Sequence, residues 1–151
     1  MIQDIQGNLF TSDAPALAHG CNVDGKMGAG VAYVVRRDYP DVYQEYAEAC
    51  RESDFKPGAV LPVLTSRPSG EPVWLLNLAT QDRPGPHARL EWIETSVRDA
   101  LLFCQEQGFD QLATVRLGSG IGGLDYFRDV RPVLARVADE FPGVELSVYF
   151  I

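Results

Sequence analysis

Two stretches of the chain combine residue types that can hold an anion without a positive field. The first is His19-Gly20-Cys21-Asn22-Val23-Asp24-Gly25-Lys26-Met27-Gly28-Ala29-Gly30-Val31. Its glycines let the backbone take positive φ and come close to a ligand. Its end, Gly28-Ala29-Gly30-Val31, opens a helical pattern, where unpaired backbone N–H groups point outward and attract negative charge. The second stretch, Leu117-Gly118-Ser119-Gly120-Ile121-Gly122-Gly123-Leu124-Asp125-Tyr126, repeats this design between a strand pattern and a helix pattern. A single glycine-rich loop is also what a tight turn looks like. Two of them, each following a strand, favour a clamp for a diphosphate. Known phosphate motifs do not account for them. The chain has no GxxxxGK[ST], and Gly28-Ala29-Gly30 lacks the third glycine and the distant acid of a dinucleotide fingerprint. Triphosphate hydrolysis and hydride transfer are disfavoured.

Other candidate residues each carry a plain structural alternative. Lys26 suits a phosphate or a solvated loop. Gln81 and Asp82 lie in a segment, Ala79–His87, placed to cover one end of a ligand. Asp125 either orients a water molecule or caps the helix that follows it. Tyr126 stacks on a ligand or fills the core. His19 follows an apolar strand and reads as a hydrogen-bonded structural histidine, and His87 as surface. Cys21, Cys50 and Cys104 are widely spaced and read as small buried hydrophobes, with no disulfide framework. Two histidines and dispersed cysteines assemble no metal site, and no cofactor is implied.

With 21 acidic residues against 13 Lys and Arg, the formal charge is −8. No general nucleic-acid groove is expected, because gripping a phosphate backbone requires a basic face. An anionic ligand must then be held by local backbone donors.

These loops need a scaffold, and the hydrophobic pattern supplies one. Runs typical of strands occur at Ile2–Ile5, Ala16–Ala18, Val60–Leu64, Val73–Leu78, Leu112–Leu117 and Glu145–Phe150. Helical patterns occupy Gly30–Arg37, Asp41–Arg51 opened by Pro40, Ala88–Gln107 stopped by Gly108, and Phe127–Phe141 with Pro132 in its first turn. The 151 residues suit one domain, 1–151. Alternating elements predict an α/β fold with a mixed, mostly parallel sheet and helices on both faces. Such sheets bind ligands at the C-terminal ends of their strands, here the loops after Ala18 and Leu117. No apolar run can span a membrane, the N-terminus lacks a signal-peptide pattern, and a cytoplasmic monomer is expected.

Four segments together resemble the macrodomain family: Gly7-Asn8-Leu9-Phe10, Ala18-His19-Gly20-Cys21-Asn22, Lys26-Met27-Gly28-Ala29-Gly30-Val31-Ala32 and Arg116-Leu117-Gly118-Ser119-Gly120-Ile121-Gly122-Gly123-Leu124. They are most similar to the branch holding the terminal ADP-ribose protein glycohydrolase and the DNA-ADP-ribose-removing antitoxins. The resemblance implies a three-layer αβα fold with ADP-ribose in a cleft across the sheet edge. It implies that Asn8 accepts the adenine amino group, where the family commonly has Asp, and that Leu9 offers a backbone N–H. Gly28, Ala29, Gly30 and Val31 would hold the diphosphate, with Gly118, Ser119, Gly120, Ile121, Gly122 and Gly123 covering it. Asn22 and Asp24 would face the distal ribose.

The branch also uses a Lys after the strand matching Val73–Leu78 and an acid in the second glycine loop. Here Ala79–His87 contains no Lys, and the acid position holds Gly122. The implied substrates are ADP-ribosylated protein or DNA. Three readings stay open: a hydrolase using Gln81, Asp125 and Asn22 without a lysine adduct, a non-catalytic ADP-ribose reader, and an ADP-ribose 1″-phosphate phosphatase.

Overall fold

The computed structural model describes residues 1–151. Six strands, β1 (Ile2–Gln6), β2 (Ala16–Cys21), β3 (Val60–Ser66), β4 (Pro72–Ala79), β5 (Gln111–Val115) and β6 (Glu145–Phe150), form one sheet. Their order is β1-β6-β5-β2-β4-β3. Every neighbouring pair is parallel except β3–β4, which is antiparallel. The C-terminal ends of β1, β6, β5, β2 and β4 therefore share one edge.

Helices α1 (Gly30–Asp38) and α2 (Pro40–Arg51) cover one face, and α3 (Leu90–Gln107) and α4 (Arg131–Ala138) cover the other. The strands serve both layers by alternation. In β2, Ala16 and Ala18 pack toward α3 and α4, while Leu17 packs toward α1 and α2. The result is the expected three-layer α/β arrangement.

Most boundaries differ by a residue or two from the sequence pattern, and three differences bear on the sheet edge and the segment after it. β2 continues past Ala18 through Cys21, because His19, Gly20 and Cys21 keep pairing with Asn77, Leu78 and Ala79. Gly20 thus belongs to a strand, not a loop. Its need for glycine is close packing, since a Cβ there would stand 2.8 Å from Thr80 Oγ1. β5 ends at Val115, leaving Arg116 and Leu117 in the loop.

The third difference is the helix predicted over Phe127–Phe141. It starts at Tyr126 as a π-helical turn, Tyr126–Val130, and becomes α4 only at Arg131. Pro132 has no N–H to donate to the carbonyl four residues back, so regular α-ladder bonding is interrupted there. Arg131 N–H donates instead to the Tyr126 carbonyl, five residues back. At the far end of α3, Gly108 takes φ +76° and closes the helix, as its position predicts.

Candidate functional site

The shared strand edge carries a cleft of about 780 Å³, within the range of pockets that enclose a whole small ligand. Its wall follows the strand order. Gly7–Phe10 come after β1, Tyr149–Ile151 end β6, and Val115–Gly122 follow β5. The loop after β2 supplies Asn22, Lys26 and Gly28–Ala32, and the loop after β4 supplies Thr80, Gln81, Pro84 and Gly85. Of the residues expected to bind the ligand, Asn8, Leu9, Asn22, Lys26, Gly28, Ala29, Gly30, Val31, Gly118, Ser119, Gly120, Ile121 and Gly122 line this cleft. Gly123 does not.

The first loop is organised around Asn22. Its amide oxygen accepts from Asp24 N–H (2.9 Å) and from Tyr46 O–H (2.8 Å), and its amide nitrogen donates to the Lys26 carbonyl (2.8 Å). Tyr46 is fully buried on α2, so the loop is tied to the helix layer beneath it. Asn22 holds the loop in shape with most of its polar capacity. Asp24 lies outside the cleft and pairs with Lys26 at 3.2 Å.

Where the loop enters α1, Ala29 is the cap residue and contributes no side-chain bond. The first-turn N–H groups of α1 stay free beside the cleft, with the positive end of the helix dipole behind them. A Cβ on Gly28 or Gly120 would meet no protein atom within 4 Å. The two glycines flank open space in the cleft.

The second loop is shaped by positive φ at Gly118 (+73°), Gly120 (+63°) and Gly123 (+87°). Its outer glycines, Gly118 and Gly123, back onto protein, though Gly118 also borders the cleft. A Cβ on Gly123 would stand 2.8 Å from Pro86 Cβ, and one on Gly118 would stand 2.5 Å from Ile93 Cδ1. Gly123 therefore serves the packing of this loop against the segment before α3, which corrects its expected place over the diphosphate.

Asp125 also receives a different assignment. Its carboxylate accepts Arg128 N–H at 2.8 Å as the cap of the π turn, and it does not line the cleft.

Gln81 stands where the loop after β4 meets the second glycine loop. Its amide nitrogen donates to the carbonyls of Arg83 (2.6 Å) and Gly85 (3.1 Å), and its oxygen faces Gly122. A bridge from Gln81 to Ala88, and Ala88 N–H donating to the Gly122 carbonyl (3.2 Å), close this segment against the cleft. Asn8, at the opposite end, caps a 3-10 turn by accepting Phe10 N–H at 2.9 Å. The oxygen expected to meet adenine thus already supports the turn and keeps one lone pair for a ligand.

Charge in the cleft is one-sided. Lys26 and Arg116 carry its only charged side chains, and no Asp, Glu or His lines it. Cys21 is buried and donates to the Leu78 carbonyl, and burial pushes its thiol pKa up, which disfavours the thiolate. His19 is fully buried behind the sheet edge, bonded through Nε2 to Asn77 Oδ1 at 2.7 Å. Tyr126 is in the core, its hydroxyl donating to Asp4. The polar groups at the cleft are backbone N–H groups, two cations, the amides of Asn8, Asn22 and Gln81, and the hydroxyl-bearing residues Thr80, Ser119 and Tyr149.

Comparison with known proteins gives the family. The family model for the Macro domain matches residues 18–133. The chain belongs to the Macro domain family. A DNA ADP-ribosyl glycohydrolase of Thermus aquaticus is 31% identical over 149 residues, covering 99% of this chain and 41% of that relative. The macrodomain here therefore spans about two-fifths of that curated relative's length. The solved macrodomain of Mycobacterium tuberculosis DarG superposes with a TM-score of 0.88 at 29% identity, covering 99% of this chain and 97% of that one. Thermosipho africanus DarTG in complex with ADP-ribose gives 0.83 at 26% identity, over 98% of this chain and 41% of that one.

The macrodomain cleft also contains residues that the motifs do not single out as site residues: Thr80, Arg116, Tyr149, Phe150 and Ile151. Thr80 and Phe150 were missed because nothing local marks them. The usable signal is topological: in a parallel sheet every strand that points the same way delivers its last residues to one edge.

Proposed function

We propose that this macrodomain binds ADP-ribose and hydrolyses its bond to a modified macromolecule, DNA or protein, without a lysine adduct. The observation that carries the reading is the cleft, where two glycine loops and a free helix N-terminus converge and no Asp or Glu side chain intrudes. That arrangement suits a diphosphate held by backbone donors. The kinship with chains named DNA ADP-ribosyl glycohydrolase supports hydrolysis.

Hydrolysis here is water addition to the anomeric carbon of the distal ribose. As the C–O bond to water forms, the bond to the macromolecule's oxygen or nitrogen breaks. The water's proton passes to solvent or to the departing group, and ADP-ribose leaves with the new hydroxyl. Such bonds break through an oxocarbenium-like state, so fixing the ribose and placing the water carry the catalysis. In this reading the Gln81 amide oxygen, which faces Gly122, accepts from that water, with a phosphate oxygen of the substrate on its other side. Oriented amides around developing charge lower a barrier without any titrating residue.

The test is incubation with ADP-ribosylated DNA and with ADP-ribosylated protein, detecting free ADP-ribose. Release from either supports the reading and identifies the substrate. Binding without release makes the protein a reader. Inorganic phosphate released from ADP-ribose 1″-phosphate, with no glycosidic cleavage, makes it a phosphatase.

A further inference from the structure

Arg116 is a cation on the cleft wall for which a diphosphate held by glycine loops has no evident use. Its Cζ lies over the Phe150 ring at 4.2 Å, the Phe127 ring at 4.8 Å and the Tyr126 ring at 5.0 Å. Three rings from β6 and the π turn restrict the guanidinium and fix its plane. Its Nε is buried and has no hydrogen-bond partner. It forms no ion pair, while the carboxylate of Asp4 beyond Tyr126 is taken by Arg131. The other cleft cation, Lys26, is already paired with Asp24. In a chain of net charge −8, Arg116 is thus a ring-stacked cation in no ion pair on the cleft wall, its charge felt at Asp4 beyond the rings.

Its place along the edge says which part of a ligand it meets. Arg116 follows β5, between the Gly7–Phe10 turn after β1 and β6 on one side and the loop after β2 on the other. With the diphosphate at Gly28 and Gly120 and the distal ribose toward Gln81, the Arg116 side of the cleft holds the adenosine half. A guanidinium beside an adenosine ribose is the chemistry that accommodates a 2′-phosphate.

We propose that Arg116 forms an anion subsite at the adenosine end and that the cleft prefers ADP-ribose bearing a phosphomonoester on the 2′-oxygen of the adenosine ribose. This rests on the ADP-ribose reading above.

Calorimetry of the intact chain with ADP-ribose and with 2′-phospho-ADP-ribose tests it. The wild type is expected to bind the phosphorylated ligand at least about tenfold more tightly at low salt, a preference that shrinks as salt screens it. Arg116→Met is expected to bring the two ligands within about threefold of each other, and Arg116→Lys to retain part of the preference. The wild-type comparison stands even if a variant folds poorly. Equal wild-type affinities, or a preference that persists in Arg116→Met, would overturn the subsite while leaving ADP-ribose binding intact. Failure of both ligands to bind would overturn the ADP-ribose reading and this one with it.

Discussion

Among the residues of the cleft, glycines divide into those that make room for a ligand and those that make room for protein. Gly28 is the clearest of the first kind, because its φ is ordinary and a Cβ there meets nothing. Gly28→Glu should therefore fold normally, yet place a bulky anion where the diphosphate must lie. We expect at least about a hundredfold weaker ADP-ribose binding by calorimetry, with an unchanged thermal midpoint. Unaltered affinity would displace the diphosphate from this position. Lys26 is the opposite case: its side chain is 68% exposed and paired with Asp24. Lys26→Ala should cost at most about tenfold in turnover, roughly 1.4 kcal/mol. Borohydride added during turnover should trap no protein–ADP-ribose adduct, since Gln81 and not Lys lies at the cleft after β4. An adduct on Lys26, checked by peptide mass, would refute the water mechanism.

At the scale of elements, the loops hold their form through contacts with the layers below. Tyr46 on α2 bonds both the backbone carbonyl and the amide oxygen of Asn22, each at 2.8 Å. Tyr46→Phe leaves the buried ring in place and removes the donor. It should cost about 1–2 kcal/mol of stability, measured by urea unfolding, and weaken ADP-ribose binding by loosening the Asn22–Lys26 loop. A stability loss with unchanged affinity would separate this loop from the ligand. All six strands and the four helical regions were legible from hydrophobic period, because each has one or two buried faces. The π turn was not, because it depends on how the turn before Pro132 redistributes its bonds, which period alone does not encode. Gly20 was misread as loop because the sequence shows a glycine but not the Thr80 side chain packed against it. Asp125 reads from the sequence as a choice between water and cap, and its carboxylate does accept Arg128 N–H as a cap. The antiparallel placement of β3 and the neighbours of β5 are long-range facts, so Arg116, quoted in a motif, could not be placed beside Phe150 from the sequence.

For the molecule as a whole, one buried group makes stability depend on pH near neutrality. His19 has no exposed surface, and burial pushes its pKa from 6.5 down to about 4, against the opposing hydrogen bond to Asn77. Its Nδ1 has no partner, so nothing inside the fold stabilises a second proton. In the unfolded chain the same ring takes up a proton near its ordinary value. Between about pH 6.5 and pH 4 the unfolded state therefore binds more protons, and stability must fall as pH falls through that window. The contribution is fully present above pH 6.5. From pH 7.5 to pH 5 the loss is about 2 kcal/mol, approaching about 3 kcal/mol below pH 4. Carboxylates do not confuse the upper part of the window. Asp4, Asp38, Asp129 and Glu140 all titrate below their ordinary values, so they stay ionised at pH 5 and lose their stabilising partners only in stronger acid. His19→Gln provides the control, since its amide can still donate to Asn77 and cannot titrate. Urea unfolding at pH 7.5, 6.0 and 5.0 should show wild-type stability falling steadily while the variant changes little, so that the gap between them narrows or reverses in acid. Parallel curves would mean that His19 is protonated in the fold, and that the buried ring has found a partner for Nδ1.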